Sequence, residues 1–249
     1  LALEERDVSC IGLFAYGFGI AIFHILPALL ISYLKKPLTW GDTLDFLTPF
    51  VVIPLAYLLF YHTKRTLRSS NDLGRGQSLL AKIILGFGFL LYVDGHGLHL
   101  SSNSIARIMQ NMRGSELFNA TYLFDEIISH FMWDAGVFLI SIGLIFIALR
   151  LSFDFLSKSN LVLVLIGAAF YGFNFTVNGI EGQTVVFTLP AAAGGFLLSF
   201  ILYWKARKEG FHNPVYIFFA TAYFLSVVLF AYWGLSRSGF PQFSELGWI

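Results

Sequence analysis

Long apolar runs recur along nearly the whole chain, with only short polar joints between them. A bilayer-spanning helix needs about 20 mostly apolar residues. Seven runs meet that requirement, near residues 8–34, 46–63, 79–99, 119–149, 160–180, 184–205 and 213–235. A membrane β-barrel would instead repeat segments of about ten residues alternating apolar and polar, and that alternation is absent. From Gly136 to Leu149 only Ser141 interrupts the apolar residues, so this stretch is apolar on every face, which supports helix.

Composition agrees with the pattern. The chain is 57% hydrophobic, 18% aromatic and 12% charged, with a mean hydropathy of +0.72; about a quarter of the residues of a soluble domain are charged. The expected fold is an all-α integral membrane protein, a seven-transmembrane-helix bundle forming one domain over residues 1–249. No internal repeat, low-complexity tract or long linker divides it. The longest joints are 64–78, with Ser69-Ser70-Asn71-Asp72 and glycines at 74 and 76, and 100–118. Ile105, Ile108, Met109 and Met112 in the second are spaced as in a helix, with Arg107 and Arg113 between them, so this segment is expected along the outer interface.

Charge sets an expected orientation. Arg6, Lys64, Arg65, Arg68, Arg75, Lys82, Arg150, Lys158, Lys205, Arg207 and Lys208 fall on one side of a seven-span bundle, and Lys35, Lys36, Arg107, Arg113 and Arg237 on the other. The positive-inside rule then puts the N-terminus in the cytoplasm and the C-terminus outside. A net charge of +1 gives no case for nucleic-acid binding. The single cysteine, Cys10, excludes an internal disulfide and a thiolate metal cage. The sequence opens on Leu1 with no clear cleavable signal, so a native start upstream is expected.

Against this apolar background, two stretches stand out: Asp94-Gly-His96-Gly-Leu-His99 and Asp125-Glu126-Ile-Ile-Ser-His130-Phe-Met-Trp-Asp134. Ionisable groups are costly in a bilayer and call for a functional reason. In the expected topology both stretches fall in the outer half of the membrane, joined there by Asn174, Asn178 and Glu181 at the end of the fifth span. His24 in the first span lies at a similar level and is a weaker candidate. At about 100° per residue, His96 and His99 lie roughly 60° apart, while Glu126, His130 and Asp134 step by about 40° along one stripe. Gly95 and Gly97 could allow close helix approach or loosen the helix beside the histidines.

Imidazole nitrogens and carboxylate oxygens together suit zinc, iron or copper. The expected metal ligands are His96, His99, His130 and Glu126, with zinc favoured and iron or copper as alternatives. Glu126, Asp94 and Asp134 are the candidates for catalytic acid–base work or for orienting a histidine, and Asn178, Glu181 and Asn174 are supporting polar groups. His62 and His212 lie near the opposite ends and read as surface residues. The abundant phenylalanines read as lipid contact and core packing, and packing is also the first reading for Trp133.

These features suit a membrane-embedded, metal-dependent hydrolase of a lipid-like substrate with its site toward the extracytoplasmic face. An iron- or copper-dependent oxidoreductase and a proton- or cation-coupled transporter are the alternatives, with haem ligation less favoured because of the neighbouring acids. A purely structural set of histidine–carboxylate pairs between helices is a fourth. Seven spans with intramembrane histidines, aspartate and serine resemble the architecture of the alkaline ceramidase and adiponectin-receptor group of zinc hydrolases. That group carries a late His-x-x-x-His pair near its seventh span, where this chain has no histidine, so no residue role is carried over from it.

Overall fold

The computed structural model describes residues 4–69 and 74–248 and is almost entirely helical. Helix α1 spans Glu5–Leu29, α2 Trp40–Ser69, α3 Arg75–Ile108, α4 Glu116–Tyr122, α5 Ser129–Ile147, α6 Lys158–Glu181, α7 Val185–Lys208 and α8 Pro214–Arg237. A π-helical segment, Leu123–Ile128, joins α4 to α5. With it, Glu116–Arg150 forms one continuous span, and among the described residues seven helices are long and apolar enough to cross a membrane. The outward surface fits that setting: Phe50, Phe87, Leu90, Ile201 and Leu235 are all more than half exposed, an apolar load that water would not tolerate in a monomer.

Helix boundaries follow local chemistry. Ser115 and Ser157 cap α4 and α6, accepting hydrogen bonds from the amides of Phe118 and Asn160 at 3.2 Å. Asn213 caps α8, and Pro214 begins it, where the missing amide proton costs nothing. Thr39 and Asp42 close the start of α2 reciprocally. The Thr39 amide donates to the Asp42 carboxylate at 2.6 Å and the Asp42 amide to Thr39 Oγ1 at 3.1 Å.

Several boundaries differ from the sequence reading, among them the following. The first span ends at Leu29, and the chain turns through a short antiparallel hairpin, β1 (Tyr33–Lys35) and β2 (Leu38–Thr39). The third helix runs on to Ile108, so Ile105 and Ile108 extend α3 and do not belong to a separate surface segment. At 1.5 Å per residue, 34 residues reach roughly 50 Å, beyond a ~30 Å hydrocarbon core. Of the first long joint, α2 takes residues to Ser69 and α3 those from Arg75, while Ser70, Asn71, Asp72 and Leu73 lie outside the described residues.

The central helix is the span containing α5, whose apolar window is 61% buried, the largest share of the seven. It meets α2, α3, α6, α7 and α8, as the apolar circumference from Gly136 to Leu149 requires. Its tightest partner is α3. Gly88 on α3 meets Gly136 on α5, Gly95 meets the backbone of Ser129 and Trp133, and Gly143 meets Leu85; a Cβ at Gly95 would lie 2.5 Å from the Trp133 amide nitrogen, and one at Gly136 2.5 Å from that of Tyr92. Small residues at seven-residue spacing let the two backbones touch, which carries His96 and Trp133 into contact.

Candidate functional site

Four histidines from three helices surround one indole. Ring centroids of His24 (α1), His96 and His99 (α3) and His130 (α5) lie 4.9, 4.2, 5.8 and 5.6 Å from that of Trp133. His99 and His130 are 4.8 Å apart, and His24 and His96 5.8 Å. The indole is thus the floor of a polar cluster as well as a packing residue.

Each histidine has its own environment. His24 Nδ1 bonds to the Ile20 carbonyl, which can only accept, so Nδ1 carries the proton. Nε2 is then the acceptor for Trp133 Nε1–H at 3.1 Å and for the Tyr92 hydroxyl at 3.2 Å. His96 Nε2 stands 2.9 Å from Asp45 Oδ1 on α2, and His99 Nδ1 stands 3.0 Å from Asp125 Oδ1 in the π segment. His130 Nε2 is 4.0 Å from Glu126 Oε2. The first two contacts are close in distance but lack the direction of hydrogen bonds. Both ring nitrogens of His96, Nδ1 of His99 and of His130, and Oδ1 of Asp125 are buried without a hydrogen-bond partner. Buried polar atoms are rarely left so.

The π segment explains why Asp125 joins. An extra residue in one turn rotates the rest of the helix relative to a regular α-helical course, and such turns commonly mark functional sites. Here Asp125 turns inward to His99, whereas Glu126 keeps a quarter of its side chain exposed.

A cavity of about 480 Å³ opens beside the cluster, lined on its polar side by His24, Asp45, His99, Glu126, His130 and Trp133. Asp42 and Arg107 also line it, joined by a two-pronged ion pair in which Arg107 Nη2 donates to Asp42 Oδ1 at 2.7 Å and Nη1 to Oδ2. Arg107 Nη1 also donates to the Pro37 carbonyl at 2.9 Å, fastening the hairpin to the end of α3.

Of the residues that stand out in the sequence, His96, His99, His130 and Glu126 come together. Asn174, Asn178 and Glu181 line the same cavity. Glu181 also works outside it. Its carboxylate accepts the amides of Phe243 at 2.7 Å and Ser244 at 3.3 Å, holding the segment after α8 against the end of α6. Asp134 does not line the cavity. It accepts from Asn178 Nδ2 at 2.6 Å and from the Thr184 hydroxyl, clasping α5 to the α6–α7 turn. Asp94 is exposed on the outer face of α3, away from the cavity. Gly95 makes the close approach expected of it, while Gly97 faces open space.

Asp45 and the inward turn of Asp125 are not visible in the hydrophobic pattern. A second span beginning at residue 46 leaves Asp45 in the joint before it; the Thr39-x-x-Asp42 cap signal moves the start to residue 40 and Asp45 into the first turns. Asp125 lies off the α-helical stripe of Glu126 and His130, and only the π turn brings it in.

Among the described residues, no three His, Cys, Asp or Glu side chains stand ready to hold a metal ion as arranged. The donors form pairs around the indole, and chelation would require His130 and Glu126 to draw toward His99 and Asp125. No family model, curated protein or solved structure matches this chain.

Proposed function

We propose that the protein is a membrane-embedded, metal-dependent enzyme acting on a lipid-like substrate, with hydrolysis favoured over oxidation. The observation that carries this reading is the gathering of His99, His130, Asp125 and Glu126 beside a cavity of about 480 Å³, with His99 Nδ1 3.0 Å from Asp125 Oδ1 and His130 Nδ1 buried without a hydrogen-bond partner. Imidazole nitrogens and carboxylate oxygens are metal donors, and zinc, iron and copper bind such a set. His99, His130, Asp125 and Glu126 would hold the ion, with His96 and Asp45 adjoining. Such an ion, when bound, supplies Lewis acidity toward water and a substrate carbonyl. Glu126, part-exposed to the cavity, is suited to take up a proton there. The charge asymmetry supports a cavity on the extracytoplasmic side with the N-terminus cytoplasmic.

The pairwise arrangement of histidines and carboxylates favours a second reading, a proton-coupled transporter, since such pairs can pass protons without any ion. Elemental analysis of the detergent-purified protein separates the two. Near-stoichiometric zinc, lost in a His99→Ala/His130→Ala variant that still inserts, is the expected result. Iron or copper lost in the same way would move the chemistry to oxidation. No metal in the parent protein would sink the enzyme reading in favour of the transporter.

A further inference from the structure

A substrate drawn from the bilayer needs an apolar way to the histidines. A second cavity, of about 400 Å³, lies between α2 and α3 and is walled by apolar residues, including Phe46, Phe50, Val93 and Leu100. It is separate in lining from the polar cavity, and its one ionisable wall residue is His96. Helices α2 and α3 touch far less than α3 and α5 do. Pro49 and Pro54 interrupt the hydrogen bonding of α2 and line the groove, and Gly97 offers no side chain to fill it.

His96 makes this groove more than ordinary lipid contact. Its side chain is only 2% exposed; Nε2 stands against Asp45, and Nδ1 has no hydrogen-bond partner. The same ring stands 2.9 Å from Asp45, which lines the polar cavity. The His96–Asp45 pair is therefore a partition, with an apolar groove on one side and a polar chamber on the other.

We infer that the groove between α2 and α3 holds the hydrocarbon chain of a bilayer amphiphile, whose first polar atom meets His96 and whose head faces the chamber of Asp45, Asp42 and Arg107. This rests on the proposed reading of the chamber as a reaction site and assigns the direction from which its substrate enters. A chain in the groove exchanges one apolar surrounding for another, so recognition comes from shape and from His96 Nδ1, which has no hydrogen-bond partner, and a plain alkane gains little.

The test uses the full chain in phosphatidylcholine vesicles containing a long-chain fatty alcohol that carries a diazirine, with photolabelled residues mapped by mass spectrometry. Label concentrated on Phe46, Phe50, Val93 and Leu100, and competed by unlabelled alcohol, is expected. Gly97→Trp, which grows into open space, should lower this label about tenfold, as loss of roughly 1.4 kcal/mol of binding would. Gly86→Trp is the matched control. It also points into open space, and eleven residues away it lies within about 20° of Gly97 on the same helix, yet outside the groove. Val93→Trp is a second obstruction should Gly97→Trp fail to fold. Label that does not saturate, is spread equally over Leu90, Ile201 and Leu235, or persists unchanged in both obstructed variants overturns the inference. Metal content read on the same samples separates the two proposals. Bound metal with non-saturating label removes the groove alone, whereas saturable label without metal removes the metal enzyme alone.

Discussion

His96 Nε2 on α3 and Asp45 Oδ1 on α2 stand 2.9 Å apart across the wall between the two cavities. They are one polar contact between two helices that also meet through the Asp42–Arg107 ion pair. Asp45→Ala would remove the carboxylate beside the buried His96 Nε2, and a buried polar group left without its partner costs about 1–3 kcal/mol. Replacing both, Asp45→Ala with His96→Phe, should recover part of that loss, with a coupling of about 0.5–3 kcal/mol. Denaturant unfolding in detergent of the four proteins in the cycle measures it; additive losses would show that the two side chains do not interact.

Asp134 is expected to behave as a clasp. Its carboxylate accepts from Asn178 and Thr184, and hydrogen bonds of this kind between membrane helices are worth about 0.6–1.7 kcal/mol each. Asp134→Ala should lower the unfolding free energy by roughly 2–3 kcal/mol, adding the unsatisfied partners, while the bound metal per folded protein stays near the parent value. Thr184→Val should reproduce a smaller part of the loss. Complete loss of metal in well-folded Asp134→Ala would instead give Asp134 a direct part in the site.

Gly182 offers a way to disturb His130 without touching it. The backbone of Gly182 has φ −80°, which any residue adopts, yet a Cβ there would collide with the His130 ring. Gly182→Ala is therefore expected to displace His130 and cut metal retention, with an overpacking cost of about 1–3 kcal/mol. Gly97→Ala, with nothing within 4 Å of its added methyl, should be neutral or stabilising by up to about 1 kcal/mol through helix propensity. Metal content and thermal midpoint of the two variants, side by side, check the contrast.

His212, between α7 and α8, provides a pH dependence away from the cavity. Its backbone pairs with Phe153, and its Nε2 faces Arg207 Nη1 at 3.3 Å. Partial burial, and then the Arg207 charge, hold its pKa below the usual 6.5. The folded protein thus binds fewer protons at this site than the unfolded chain, so stability rises with pH. The contribution is complete above the unfolded pKa of about 6.5 and fades as pH falls below it toward the lower folded value. Arg207→Gln should flatten the change in thermal midpoint between about pH 5 and 8. An equal slope in both proteins would assign the pH dependence elsewhere.

The existence and number of the helices were legible because a bilayer span imposes a length and an apolarity that no other element shares. Residues 136–149 even announced the central helix by having no polar face. The levels of His96, His99, His130, Glu126, Asn174, Asn178 and Glu181 could also be read, since depth follows from position along a span, and these residues do share one end of the bundle.

Rotation about each helix axis and contact between helices were decided only in three dimensions. The π turn at Leu123–Ile128 resets the phase of its helix, bringing Asp125 to His99. The glycine contacts of α3 and α5 set how deeply Trp133 enters the histidine cluster. Asp94 and His96, two residues apart, end on opposite sides of the same helix, one exposed and one buried against Asp45. Sequence by itself determined which segments form helices long and apolar enough to cross a membrane and that their polar groups gather toward one end of the bundle, because the cost of burying a peptide in lipid acts on each segment separately. Which carboxylate meets which histidine depends on the packing of several helices at once, and that was decided by the tertiary structure.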